Sequence, residues 1–389
     1  MIWSSAGSWR ARLALAGALL LLTVGAVLLA ATRLSIEGRW RGLFLLTARD
    51  GRPLELRDDL YLGDAQRLVA GVSFDAARRW LRGTTAAPIP GQAALEVDFD
   101  EASGRGLVHN WLGDGRELVT IFGRYVDDEG GRPQGLFVGG ATTDVAADFK
   151  RLDDSGMALH DARGWIHVWC SVNEAIWDRE AEGIKLTYPS SWRFLGSRIL
   201  SADRSRVVLQ SSHELTLQRG KLRMDRVASF VAGEPFFRLE IKLTGLGPQV
   251  VRYGYVYGDE PWVGHFGSAD GNVGWVDDAV VLYEGRVDPV AHRWAGILDL
   301  KSGVADYIEW VGPDVPDDAY FSNTPGDWVD AAEKKPLASN QVFVGMQWLG
   351  RRLAPGEGRT MGLLIGLAEA DPITGRPRRP VAAAQAAAP

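Results

Sequence analysis

Phe237-Arg-Leu-Glu-Ile-Lys-Leu243 alternates apolar and charged side chains. Successive side chains of a β-strand point to opposite faces. Phe237, Leu239, Ile241 and Leu243 then share a core face, while Arg238, Glu240 and Lys242 face water. One dry face and one wet face mark an antiparallel sheet. The same period recurs on both sides. The stretch Val207 to Leu217 is β-rich and ends Glu214-Leu-Thr-Leu217. Val251, Tyr253, Tyr255 and Tyr257 share one face of a further strand, and Met361, Leu363, Ile365 and Leu367 one face of the last. Strands are also expected at residues 95–99, 117–125, 164–170, 184–188 and 279–283. Turns such as Asp114-Gly115, Arg219-Gly220 and Ala232-Gly233 separate them. Many short strands between glycine turns predict an all-β chain, mainly an antiparallel β-sandwich or supersandwich. A few short helices are expected beside it, Asp75 capping residues 76–81 and another over residues 173–181. No 20–50 residue repeat is present, which argues against a propeller or solenoid.

The ends differ from the middle. Leu13 to Ala31 is an uncharged run of 19 residues with Thr23 its only polar residue. As a helix it spans about 28 Å, close to the hydrocarbon thickness of a bilayer. It exceeds the h-region of a cleavable signal and lacks a clean A-x-A site. Residues 1–33 are therefore expected to be a signal-anchor transmembrane helix or an uncleaved signal; a cleaved signal and a buried core helix are the other readings. The bulk of the chain is expected outside the cytoplasm, at the periplasm or cell surface. Residues 371–389 are rich in Pro, Arg and Ala and predict a disordered tail. Between the ends, a soft boundary near Gly183 separates a β-rich region, 34–185, from a sandwich, 186–370.

Composition narrows function. The 389 residues carry 43 Lys/Arg and 49 Asp/Glu, a formal charge of −6, which disfavours a nucleic-acid partner. The single cysteine, Cys170, excludes an intrachain disulfide. Six histidines show no zinc spacing, and no P-loop or G-x-S-x-G elbow is present, so no metal and no cofactor is expected. No complete catalytic motif appears, and the reading leans away from an enzyme.

Charge and tryptophan are unevenly spread. Residues 253–330 carry fifteen acids against three Lys/Arg and hold Trp262, Trp275, Trp294, Trp310 and Trp328. Indole faces stack on sugars and carboxylates accept hydroxyl protons, so such connections suit a glycan. The connection 258–278 is long for a compact domain. It supplies Asp259, Glu260 and His265 as candidate acid/base groups, and Trp262, Asp270, Trp275 and Asp277 as candidate ligand contacts. Trp310 and Trp328 extend that set. Trp165, His167 and Trp169 alternate on one predicted strand and form a second candidate platform. Core packing is the competing reading for each tryptophan.

Gly233-Glu-Pro-Phe-Phe-Arg-Leu-Glu-Ile-Lys-Leu-Thr244, the tyrosine-rich strand after it, and Leu353-Ala-Pro-Gly-Glu357 before a last strand resemble the galactose-mutarotase-like β-supersandwich. The resemblance covers residues 186–370. It implies a supersandwich and carbohydrate contact. Family members use a histidine acid and a glutamate base; His265 is the candidate for the first, Glu260 and Glu309 for the second.

Three functions follow as expectations: a membrane-anchored protein contacting glycan or cell-envelope polymer, a carbohydrate epimerase or lyase, and a structural or assembly subunit of a membrane complex. No protein partner is identified.

Overall fold

The computed structural model describes residues 91–102, 104–122, 135–136, 156–170, 172–181, 185–259, 261, 263–264, 271–277, 279–323, 335–338 and 342–380. In chain order the strands are β1 Ala94–Asp100, β2 Arg105–Trp111, β3 Glu117–Phe122, β4 Gly156–Asp161, β5 Gly164–Cys170, β6 Val172–Asp178 and β7 Arg193–Ala202. Then come β8 Arg206–Leu217, β9 Gly220–Val231, β10 Phe236–Leu246, β11 Val251–Asp259, β12 Asn272–Val276, β13 Ala279–Val281 and β14 Gly285–Val287. The last are β15 Trp294–Asp299, β16 Val304–Val311, β17 Asp318–Ser322, β18 Phe343–Leu353, β19 Gly358–Ala370 and β20 Pro377–Arg378. A 3-10 turn at Pro189–Ser191 is the helical element given by the described residues.

Three sheets result. β1 to β5 form a meander. A ten-stranded sheet runs β13-β12-β15-β16-β19-β10-β9-β8-β7, with β20 on the end of β19. A five-stranded sheet runs β14-β17-β18-β11-β6. Pairings between these strands are antiparallel; in β10, Leu239 lies opposite Ala228 of β9 and Leu363 of β19.

The core follows from the alternation. One apolar cluster draws Leu95, Leu118 and Val168 from the meander, Leu239, Ile241 and Leu363 from the large sheet, and Tyr255 and Trp348 from the third. It is continuous across residue 185, and β6 pairs with β11 from beyond that position. Smaller clusters cover outer faces: Ala175, Trp177, Val256 and Phe343 on one sheet, Trp275, Leu298 and Tyr307 on the large one. A Cβ at Gly254 would overlap the Trp177 ring, so only glycine lets β11 and β6 lie this close there.

Several expectations change. Residues 173–181 are not a helix: Val172–Asp178 pairs with β11, and Ala175, Ile176 and Trp177 are buried on alternate sides of a sheet covered on both faces. Residues 185–188 make only an isolated bridge, Thr187 to Ile176. Residues 371–380 are ordered rather than disordered. Asp371 caps a turn through the Ile373 and Thr374 amides, 2.7 Å each, and β20 returns along β19. The expected membrane helix at 13–31, the helix at 76–81 and residues 381–389 lie outside the described residues. Among the described residues no helix is long and apolar enough to cross a membrane.

Candidate functional site

Of the expected acid/base trio, Asp259 is described. It ends β11 opposite Val172 and Val344, fully buried. Glu260, Trp262, His265, Asp270 and Trp328 lie outside the described residues, as does the side chain of Trp165. The remaining aromatic candidates, as the structure describes them, pack in the core. Trp275 is buried, donates its indole N–H to the Asp306 carbonyl at 3.2 Å, and meets Trp294 edge-on at 4.4 Å. Trp310 is buried and donates to the Pro289 carbonyl at 2.9 Å. Trp169 packs edge-on against Phe237, and His167 is buried beside it. A bulge explains this: Met157 faces Trp169 but Ala158 faces His167, so Val168 is inserted and strict alternation fails. A ring without surface cannot stack on a sugar from solvent. Asp277 sits in a turn with φ 51°, its carboxylate 2.6 Å from His292 Nδ1. After β16, Asp314 and Asp317 hold Arg351, at 2.9 and 2.7 Å.

Asp259 belongs to a buried polar centre that alternation did not reveal. Arg226 of β9 faces inward and places Nη2 2.5 Å from both carboxylate oxygens of Glu174 on β6. Tyr255 donates its hydroxyl to the same carboxylate at 2.7 Å, and Arg226 Nη1 donates to the Leu136 carbonyl at 3.1 Å. The guanidinium lies 5.5 Å from the Trp192 ring centroid. Burial raises the Glu174 pKa, while Arg226 and Tyr255 pull it back. Tyr257 is pushed well above the ordinary phenol value, first by burial, then by Glu174, with Asp259 and Asp306 adding to it. Burial alone holds Asp306 well above the carboxylate range. Glu174, Asp259 and Asp306 thus all raise the Tyr257 hydroxyl, and Glu174 meets the Arg226 guanidinium. A group tuned this way suits acid/base chemistry, but every member is closed to solvent.

Among the described residues an open concavity lies elsewhere, at the ends of β15 and β19, with a volume of about 820 Å³. That is the size range of small-molecule sites. Leu300, Pro235 and Pro372 give it aliphatic surface, with Leu298, Leu367 and Ala368 buried beneath. The rim is ionic. Arg116 donates to Asp114 at 2.7 Å and to Glu369 at 2.6 Å. Arg163 grips Asp161 through Nε and Nη2 and donates Nη1 to the Ser302 carbonyl at 2.7 Å. Arg379 makes a two-pronged contact with Glu309, 2.9 and 2.6 Å, and Tyr307 donates to that carboxylate too. Arg378 pairs with Asp371. The hydrogen bond from Arg163 leads in holding Asp161 below its ordinary range, and Glu309 leads in raising Arg379. The Asp161 carboxylate and the Arg379 guanidinium therefore keep their charge.

Alternation offered one missed signal here. Leu222, Met224, Ala228 and Phe230 mark the inward face of β9, and Arg226 breaks that series. The cleft gave none, because Arg116, Arg163 and Arg379 are far apart in the chain. Among the described residues no group of three or more His, Cys, Asp or Glu is arranged to hold a metal.

No protein-family profile matches the sequence, and no curated protein matches it. Solved structures do. A galactose mutarotase-like protein from Clostridium acetobutylicum is 7% identical with a TM-score of 0.40, covering 71% of this chain and 98% of its own. The Slr1438 protein from Synechocystis is 8% identical with a TM-score of 0.39, over 73% and 98%. A galactose mutarotase related enzyme from Lactobacillus acidophilus is 7% identical with a TM-score of 0.33, over 64% and 94%. The chain thus resembles galactose-mutarotase-like structures.

Proposed function

We propose that the chain is a glycan-contacting β-sandwich protein, held at a membrane through residues 13–31 with its bulk extracytoplasmic, and that saccharide docks in the cleft of Arg116, Arg163 and Arg379. The supporting observation is the chemistry of that cleft. An aliphatic and prolyl floor lies under a rim of guanidinium donors and carboxylate acceptors. A sugar ring offers both matching surfaces, C–H groups to the floor and hydroxyls to the rim. A glycan array probed with the full chain in detergent tests it. Binding that Arg163→Ala weakens is expected; uniform lack of binding removes the reading. Membrane attachment has its own check. The full chain should sediment with membranes, and a variant lacking residues 13–31 should not.

The buried centre favours a second reading, a carbohydrate epimerase or lyase. Glu174, Asp259 and Asp306 all act on the buried Tyr257 hydroxyl, and Glu174 is held by Arg226 and Tyr255. Sugar turnover by the wild type that Asp259→Asn or Asp306→Asn abolishes would support it. Wild-type rates in both variants would remove these residues from any mechanism.

A further inference from the structure

We infer that the end of the large sheet bearing the cleft is a membrane-docking face that seats on anionic phospholipid headgroups. The inference goes beyond the glycan reading and does not depend on it. Two turns build the face. One follows β15 and runs from Asp299 to Gly303; the other follows β19 and runs from Asp371 to Gly375. The Ala370 amide donates to the Gly303 carbonyl at 2.8 Å and ties the two turns side by side. Asp299 fixes the first turn by accepting from the Ser302 amide and hydroxyl, at 3.0 and 2.6 Å. Asp371 fixes the second through the Ile373 and Thr374 amides.

Each turn holds an apolar side chain out in solvent. Leu300 is 58% exposed, and Ile373, at 91%, is the most exposed large apolar side chain among the described residues. Single exposed aliphatics are ordinary on a protein surface. Two on joined, hydrogen-bonded turns beside a cluster of cations have the arrangement that lets apolar tips enter a headgroup layer. The cleft lining supplies that cluster: Arg116, Arg163, Lys301, Arg378 and Arg379, against two carboxylates, Glu369 and Asp371. Asp114, Asp161 and Glu309 hold Arg116, Arg163 and Arg379 from outside the lining. The outermost cations still keep donors for phosphate. Arg378, 69% exposed, commits only Nη2, to Asp371, and Arg379, 57% exposed, commits Nε and Nη2 to Glu309. The remaining guanidinium N–H groups suit phosphate oxygens, and an anionic bilayer surface attracts each exposed Lys or Arg. The same surface repels the rest of a chain that carries −6, which orients the approach. A soluble sugar in the cleft would leave Leu300 and Ile373 in water; a lipid surface covers both.

The test mixes the full chain with excess nanodiscs of phosphatidylcholine, alone or with about 30% phosphatidylglycerol. An environment-sensitive fluorophore is placed on Ile373→Cys in a Cys170→Ala background. A control fluorophore goes on Val290→Cys, 77% exposed and ahead of β15, at the strand end opposite Leu300. The 373 probe should shift to the blue on anionic discs, at least about threefold more than on neutral ones, and about 0.5 M NaCl should reverse the shift. The 290 probe should not move. Lys301→Gln with Arg378→Gln should lower the docked-to-free ratio about tenfold. On the unlabelled wild type, tryptic cleavage after Lys301 and Arg378 should slow on anionic discs and not on neutral ones. No shift at 373, an equal shift at both probes, or unaltered cleavage overturns the inference. A 373 shift produced by glycerol phosphate with neutral discs makes the cleft a soluble-phosphate site and overturns it as well. Co-elution with neutral discs reads attachment through residues 13–31, and the glycan array reads saccharide, so each reading fails or stands separately.

Discussion

Arg226 occupies an inward position on β9 otherwise filled by Leu222, Met224, Ala228 and Phe230. Its charge is tolerable there because Glu174 meets it from the facing sheet and Tyr255 and the Leu136 carbonyl complete the shell. Removing one partner leaves the other charge buried. Arg226→Met should therefore cost about 3–5 kcal/mol in urea unfolding. Removing both charges, as Arg226→Met with Glu174→Leu, should recover most of that loss. A single variant losing under about 1 kcal/mol would show that the pair is dispensable. A second residue sets acid stability. Burial works to raise the pKa of Glu117, but the hydrogen bond from His109 at 3.0 Å and the His160 ring 3.6 Å away bring it down to about 2, from an ordinary 4.5. The folded value is the lower one. Its contribution, on the order of 2–3 kcal/mol, is therefore complete above pH 4.5 and is lost as pH falls from 4.5 toward 2. Glu117→Gln should flatten the stability curve across that window, and an unchanged slope would assign acid lability to other groups.

At the scale of elements, legibility in the sequence tracked exposure. β10 was readable because it presents a wet face, and its observed limits, Phe236–Leu246, only extend the alternating run; β19 was readable from the Met361, Leu363, Ile365 and Leu367 series, although Gly362, Gly366 and Ala368 on its other face are buried too. β16 and β18 were not. Asp306 and Glu309 interrupt an otherwise apolar β16 that is buried on both faces, and Phe343 to Trp348 of β18 are likewise covered on both sides, so neither alternates. β6 was read as a helix for the same reason. The candidate site was less legible still. Asp259 was singled out, but Glu174, Arg226 and Asp306, the other buried ionisable groups around Tyr257, come from β6, β9 and β16, and no spacing rule joins them. The C-terminal element carries the next prediction. β20 and the turn at Asp371 wall the cleft through Pro372, Gly375, Arg378 and Arg379, yet β20 pairs only with Glu369 and Ala370. Ending the chain at Ala370 should leave the sheets intact and remove Arg379 from Glu309. That should cost about 1–3 kcal/mol by stranding a nearly buried carboxylate. Affinity for the saccharide found on the array should fall at least about tenfold. Wild-type affinity in the truncated chain would move the site away from this cleft.

At the scale of the molecule, the decisive feature is that one apolar cluster takes side chains from all three sheets. The composition break near Gly183 suggests two bodies, but the contacts argue for one cooperative unit over residues 94–380. Leu95 donates its amide to the Arg204 carbonyl at 2.8 Å, and Asn110 bonds to the Glu234 carbonyl at 2.8 Å. Glu174 reaches Arg226 across the interior. Losing the meander would expose the inner faces of β8, β10 and β16, so neither part retains a complete core without the other. Denaturation should then give one transition, with tryptophan fluorescence and far-UV circular dichroism coinciding. A cavity placed in the meander should be felt everywhere: Val168→Ala, at a fully buried position, should lower both transitions together by about 1–3 kcal/mol. Two separated transitions, with only the earlier one moved by Val168→Ala, would establish residues 94–170 as an independent domain. The pairing is also non-local, since β16 joins β19 and β10 joins β19 across long stretches of chain. Refolding should accordingly be slow for its size, milliseconds to seconds or longer, and should quicken little when the meander alone is stabilised.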